Sequence, residues 1–329
     1  MKFKESFTTP IFAIVIYLMM LSSSFLKDSL IESGGNGYLS VIILQLLIFF
    51  VPAVFFCRLK GVGYSSKLNI RLFSPTKAGS VVTAALVMIF GSILIRFAQI
   101  YLLDIVSFSY SPFQSFVSEA SDNSFLFKAT AFAIMPALSE ELIFRSIMLT
   151  EYNEGGYGAI NATLITSFLS AFLFFSPEAF PVRFFCGIIL SAVTYATESS
   201  VSALISHLIF NIYVVFGEKY TVRAMTDPSN KIIGIFTFTM LFLILSVVML
   251  GEFEHCFRRN GVSGVPSPSY LLKKSDDGTT PDVSATEAVE NKMSKKALSD
   301  RSKTMIEVFF SPTFLLCLMI YLIAMFGSI

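Results

Sequence analysis

Long apolar runs separated by short polar segments make up most of this chain. Runs of about 18 or more apolar residues recur, and a helix of roughly that length is needed to cross the hydrocarbon core of a bilayer. The pattern predicts nine membrane-spanning helices. They are expected at residues 9–26, 38–58, 78–103, 125–150, 157–175, 182–197, 200–217, 231–250 and 308–327.

The first apolar run follows "MKFKES" and can also be interpreted as a signal peptide, with "LSSSF" as a loose cleavage region. No clear A-x-A site follows the run, so a retained first helix is the preferred interpretation.

The basic residues of the loops predict the orientation, because Lys and Arg are enriched on the cytoplasmic side of a membrane. The N-terminal segment and the loop 59–77 carry Lys and Arg, whereas the loops 27–37 and 104–124 are mainly acidic. This alternation places the N-terminus and the polar stretch 252–307 in the cytoplasm, and the C-terminus outside.

Composition strengthens the membrane assignment, since 54% of the residues are hydrophobic and only 14% are charged. A soluble domain carries about 25% charged residues, so this chain has too little polar surface to face water on all sides. The predicted class is an all-α, polytopic protein of the cell membrane, with the lipid bilayer as its surroundings. The net charge of +1 gives no argument for nucleic acid, and the four scattered cysteines suggest neither a disulfide framework nor a zinc site.

The predicted organisation is a core bundle of about eight transmembrane helices and one C-terminal helix after a flexible linker. The linker is expected because its Ser, Thr, Pro, Asp and Lys cannot bury enough apolar area to offset the entropy of ordering. The expected units are N-terminal helices at 1–124, a core at 125–251, the cytoplasmic linker at 252–307 and a C-terminal helix at 308–329.

Three charged residues lie inside the fourth predicted span, in "IMPALSEELIFRSIML". Each costs about 2.5–3.5 kcal/mol near the centre of a membrane helix. Glu141 and Arg145 stand four residues apart, where they can form an ion pair within one turn. Glu140 points about 100° away and has no partner in its own helix, so it is the candidate for proton transfer. The structural alternative is that these charges join helices, with Arg145 reaching the interface.

A second polar pair lies in "SALISHLIFN", where His207 and Asn211 are also four residues apart on one helical face. A lone histidine in a helix is often a packing residue. An amide one turn away and a buried glutamate elsewhere favour a functional role for His207.

These stretches resemble the CPBP family, the CAAX protease and bacteriocin-processing intramembrane endopeptidases. "EELIFR" matches the E-E-x-x-x-R motif, and His207 with Asn211 matches H-x-x-x-N. The resemblance covers roughly residues 125–215. It implies hydrolysis of a peptide bond in a membrane-associated peptide or membrane-protein substrate, of the CAAX type or the bacteriocin and peptide-processing type.

The resemblance also implies roles for the residues at the motif positions. Glu140 is the expected general base on water, and Glu141 with Arg145 is the supporting pair. The pair His207 and Asn211 is expected to donate hydrogen bonds to the oxyanion.

The middle motif of the family, F-x-x-x-H, is not matched, because "LSAFLFFSPEAF" contains no histidine. Counting from Phe172, the histidine position is Ser176. Counting from Phe174, it is Glu178. Either residue is a candidate replacement, and Ser176 is included in the expected catalytic set because it lies nearer to the height of Glu140.

The sequence leaves two other functions open. One is a catalytically degenerate family member that binds and regulates a membrane partner. The other is a transporter or channel, which is disfavoured because no inverted repeat is visible. No cofactor or catalytic metal is expected, since no H-E-x-x-H pattern is present, and the pattern predicts no oligomeric state.

Overall fold

The computed structural model describes residues 5–26, 36–61, 64, 68–105, 111–117, 125–227, 231–260 and 305–327. Nine long helices account for most of these residues, and each coincides with one predicted span. The described part of the chain contains no strand. The all-α polytopic class is therefore confirmed. The helices are α1 (Glu5–Ser24), α2 (Gly37–Lys60), α3 (Ala78–Leu103), α4 (125–154), α5 (Ala159–Phe172), α6 (Phe180–Thr197), α7 (Ser200–Thr226), α8 (Lys231–Asn260) and α9 (Pro312–Gly327).

Five of these helices are long and apolar enough to cross a membrane, namely α2, α3, α6, α7 and α8. Shorter apolar helices are found in α1, α5 and α9. The charged helix α4 belongs to neither group. These helices fit a multi-pass membrane protein.

The predicted linker, 252–307, begins inside a helix, since α8 continues to Asn260. Residues 261–304 of it lie outside the described residues. The boundaries of the predicted units therefore stay predictions.

Four π-helical segments interrupt the helices in the part of the chain that the structure describes. Two of them, Thr130–Ile134 and Leu142–Met148, flank the short α-helical segment Met135–Glu141 within α4. The others are Leu46–Phe50 in α2 and Tyr213–Gly217 in α7. The first π segment of α4 lies directly before Pro136, which lacks the N–H that an unbroken α-helix would use. Short π segments inside α-helices are frequent at functional sites.

The apolar core has two main parts. One is formed mainly by α1, α2, α4, α5 and α9, and includes Phe12, Ile48, Phe144, Leu169 and Phe314. The other is formed mainly by α3, α6, α7 and α8. Helix α4 of the first group packs against α7 of the second, and this contact brings the two polar motifs together.

Two local features fix the helices that carry the motifs. Ser199 is in an extended conformation, and its hydroxyl accepts a hydrogen bond from Val201 N at 3.2 Å, which starts α7. Helices α5 and α6 approach closely at Gly187, where a Cβ would lie 2.8 Å from Ser167 Cβ. A glycine at this position therefore permits the close contact.

Candidate active site

Glu141 is at the centre of a buried charge cluster. Its Oε1 accepts a hydrogen bond from Arg145 Nη1 at 3.1 Å and lies 2.7 Å from His207 Nδ1. The carboxylate of Glu141 and the guanidinium of Arg145 are both almost completely buried. The ion pair predicted from the spacing is therefore present, and His207 joins it from α7.

The contact with Glu141 determines how the ring of His207 is used. An ionised carboxylate can only accept hydrogen bonds, so Nδ1 of His207 carries the proton and donates to Glu141. The other ring nitrogen, Nε2, lies 3.9 Å from Glu140 Oε2. A carboxylate behind a histidine fixes the tautomer and the orientation of the ring in this way. Glu141 therefore directs Nε2 of His207 towards Glu140.

Glu140 lies beside a small cavity in the protein interior. The centre of a water-sized sphere can move through about 10 Å³ there, which is close to the room that one water molecule needs. Asn211 lines the same cavity, and so do Gln45 and Ser111. The arrangement combines a carboxyl group, an amide and space for one water molecule.

Side-chain amides from two other helices bind the π segment that precedes Glu140. Gln45 Nε2 of α2 donates to Ala131 O at 2.8 Å, and Asn211 Nδ2 of α7 donates to Ala133 O at 3.4 Å. Polar backbone groups at membrane depth must be satisfied internally. Asn211 thus stabilises the backbone of α4 as well as lining the cavity.

The segment after α5 is where the middle motif would place a histidine. It begins at the cavity and then leaves it. Helix α5 ends at Phe172, and Leu173 and Phe174 line the cavity. Ser176 instead donates to Glu178 Oε2 at 2.6 Å, and its hydroxyl accepts from Ala179 N at 3.2 Å. Neither Ser176 nor Glu178 is among the residues that line the cavity beside Glu140.

Arg183, on the first turn of α6, lines the cavity together with Glu140. The motif analysis did not single it out. A signal was present, however, because Arg183 is a charged residue within a predicted span, and such residues mark functional sites by default. Arg96 of α3 pairs with Glu218 Oε1 of α7 at 3.0 Å.

The described residues contain no group of three or more His, Cys, Asp or Glu side chains that could hold a metal ion.

Residues 122–213 match the family model described as type II CAAX prenyl endopeptidase Rce1-like. The matched segment includes all of α4, α5 and α6 and the part of α7 that carries His207 and Asn211. No curated protein and no solved structure gives a significant match to the chain. The family match supports a function of the same kind, that of a CAAX-type intramembrane protease. The resemblance to the CAAX protease family is therefore confirmed over residues 122–213, the segment that is similar to the Rce1-like family model.

Proposed function

We propose that the protein is an intramembrane endopeptidase in which Glu140 is the general base on a water molecule. One observation carries this proposal: Glu140 lies in the bundle interior beside a cavity of about the size of one water molecule, which Asn211 also lines. His207 Nε2 lies 3.9 Å from the same carboxyl group. A general base must be within hydrogen-bonding reach of the proton that it removes, and water in this cavity meets that requirement.

The reaction follows from these groups. Glu140 takes a proton from water as the water oxygen bonds to the peptide carbonyl carbon, and the carbonyl electron pair moves to the oxygen. The tetrahedral intermediate then collapses, the carbon–nitrogen bond breaks, and the proton held by Glu140 passes to the leaving nitrogen. The products are a carboxylic acid and an amine, which become a carboxylate and an ammonium group when the acid proton passes to the amine, and no covalent enzyme intermediate forms.

The remaining residues have supporting roles in this proposal. Glu141 orients His207, and Arg145 balances the charge of Glu141. Arg145 Nη2 also donates to Gly187 O at 3.3 Å, which connects the pair to α6. Asn211 and His207 are the proposed donors to the oxyanion, His207 through Nε2 when both of its ring nitrogens carry a proton. One well-placed donor contributes about 10²–10³ in rate. A role for Ser176 in place of the imidazole stays a prediction.

A second candidate function is a degenerate family member that binds and regulates a membrane partner. It is favoured by the cavity wall that α5 provides, where Leu173 and Phe174 supply apolar groups and no imidazole. An acid–base or water-positioning group is worth about 10²–10⁴ in rate, so its loss can leave a protein that binds without cutting.

The test uses the purified protein in lipid nanodiscs with a farnesylated peptide that ends in a CAAX sequence. Products are identified by mass spectrometry for wild type and Glu140→Gln. Cleavage by wild type that is lost in a folded Glu140→Gln variant supports the protease. Binding of the peptide without cleavage by either protein favours the regulatory function, and an unprenylated peptide shows whether the lipid is recognised.

A further inference from the structure

Arg183 supplies a positive charge to the cavity in which the proposed base lies. Its side chain lines the cavity with Glu140 and Asn211. The two residues that precede the turn into α6, Leu173 and Phe174, line the cavity as well. Arg183 is thus a basic side chain at the cavity, on α6 and five residues after Glu178, the later of the two positions counted for the missing histidine.

The guanidinium group of Arg183 is held in place by stacking. Its Cζ lies 3.8 Å from the centroid of the Phe174 ring, well within the range of a cation–π contact. Arg183 N donates to Ala179 O at 3.0 Å, so the residue belongs to the first hydrogen-bonded turn of α6. The stacked guanidinium is therefore fixed against a residue that itself lines the cavity.

The turn before α6 is also anchored from outside the site. Gln99 Nε2 donates to Glu178 O at 2.6 Å, and Arg96 Nη1 reaches the same carbonyl at 3.5 Å. Both donors come from α3, and Arg96 is itself paired with Glu218. The first turn of α6 is thus connected to the rest of the bundle, which limits the movement of Arg183 relative to the cavity.

Arg183 would act beside His207 and Asn211, the two donors proposed from α7. Nδ1 of His207 also contacts Glu141, and Nδ2 of Asn211 also donates to Ala133 O. A guanidinium group has five N–H donors and cannot act as a base in a protein. Its chemistry is therefore that of a hydrogen-bond donor with a permanent charge, as required at an atom where negative charge develops.

We propose that Arg183 is a further catalytic residue, which donates a hydrogen bond to the oxyanion formed when water adds to the substrate carbonyl. The inference rests on the proposed function. Arg183 takes no proton: the proton from water goes to Glu140 and later to the leaving nitrogen, while Arg183 stabilises the negative oxygen between these steps. It thus supplies charge stabilisation in a site without the imidazole of the middle motif, and leaves proton transfer to Glu140.

The experiment measures peptide cleavage in nanodiscs by wild type, Glu140→Gln, Arg183→Gln, Arg183→Lys and Arg183→Ala. Arg223→Gln is the matched control, because Arg223 is exposed on α7 and lies outside the site. We expect kcat of Arg183→Gln to fall by about 10²–10³ while KM changes little. Lysine should restore part of the loss, and millimolar guanidinium should restore part of the activity of Arg183→Ala where equal sodium chloride does not.

Each outcome decides the inference. A folded Arg183→Gln variant with the kcat of wild type, beside an inactive Glu140→Gln variant, overturns the role of Arg183 and leaves the proposed function intact. The role of Arg183 is also overturned if the cleavage activity of Arg183→Gln falls only in proportion to its amount of folded protein and guanidinium does not rescue Arg183→Ala. If the wild-type protein does not cleave the peptide, both the proposed function and the inference about Arg183 are refuted.

Discussion

Glu140 and Glu141 are adjacent in the chain, yet their replacement by glutamine should affect different properties. Glu141 contacts both Arg145 and His207, and the side chains of all three are almost completely buried. The only ion-pair contact recorded for Glu140 among the described residues is His207 Nε2 at 3.9 Å, beyond hydrogen-bonding distance. Glu141→Gln should therefore destabilise the protein, and Glu140→Gln should leave its stability nearly unchanged.

The expected magnitude follows from the burial of Arg145, whose side chain is 2% exposed. Removing one partner of a buried ion pair costs about 3–5 kcal/mol, because the remaining charge is left uncompensated. Replacing the Glu140 carboxylate by an amide of the same shape breaks no hydrogen bond, so its cost should be below about 1 kcal/mol. The two variants should differ in free energy of unfolding by several kcal/mol.

The assay is reversible unfolding in mixed micelles with increasing sodium dodecyl sulfate, followed by circular dichroism, for wild type, both glutamine variants and Arg145→Met. The double variant Glu141→Gln, Arg145→Met provides the control. It removes the uncompensated guanidinium together with its partner, so its destabilisation should be smaller than the sum of the two single effects.

Equal free energies of unfolding for Glu140→Gln and Glu141→Gln would refute this account of the cluster. The same conclusion would follow if the effects of Glu141→Gln and Arg145→Met simply added up in the double variant, because the pair would then contribute nothing beyond its separate members.

Three further predictions concern the helices around the site. Gly187→Ala should lower the free energy of unfolding by about 1–3 kcal/mol. Adding Ser167→Gly should recover only part of it, since the added Cβ would meet Ser167 Cβ at 2.8 Å and also the backbone Cα of Ser167 at 3.0 Å; no recovery would contradict the close side-chain contact. Arg96→Met should destabilise by about 3–5 kcal/mol in the same assay, because it leaves the carboxylate of Glu218 without its buried partner; wild-type stability would show that the pair is unimportant. Ser176→Ala should lower the free energy of unfolding by about 1 kcal/mol, because the hydrogen bond from Ala179 N is lost. The rate of cleavage per folded molecule should be unchanged. A fall of about 10² or more in kcat would instead identify the Ser176 hydroxyl as the replacement for the imidazole.

The apolar pattern was sufficient to predict the positions of the helices. All nine predicted spans coincide with helices because long apolar runs and charged loops are local properties of the sequence. The pair Glu141 and Arg145 was equally predictable, since residues four apart on a helix are neighbours. The extension of α8 to Asn260 was not predictable, because the hydropathy of the sequence falls before the helix ends.

The contacts between helices could not be read from periodicity. The bond from His207 to Glu141 depends on how α7 packs against α4, and the spacing within each motif carries no information about that packing. The π segment before Pro136 and the amides that bind its carbonyls also depend on tertiary contacts. Arg183 reaches the cavity because the turn after α5 directs α6 towards it.

The central claim is that the Glu140 carboxyl activates water inside the membrane bundle. Its most direct test is the kcat of wild type and Glu140→Gln on the farnesylated peptide in heavy-oxygen water, with the folded fraction of each protein measured in the same sample. The account predicts one heavy oxygen in the new carboxylate of the wild-type product and a kcat lower by about 10²–10⁴ for Glu140→Gln. A Glu140→Gln variant that cleaves the peptide at the wild-type rate would contradict it.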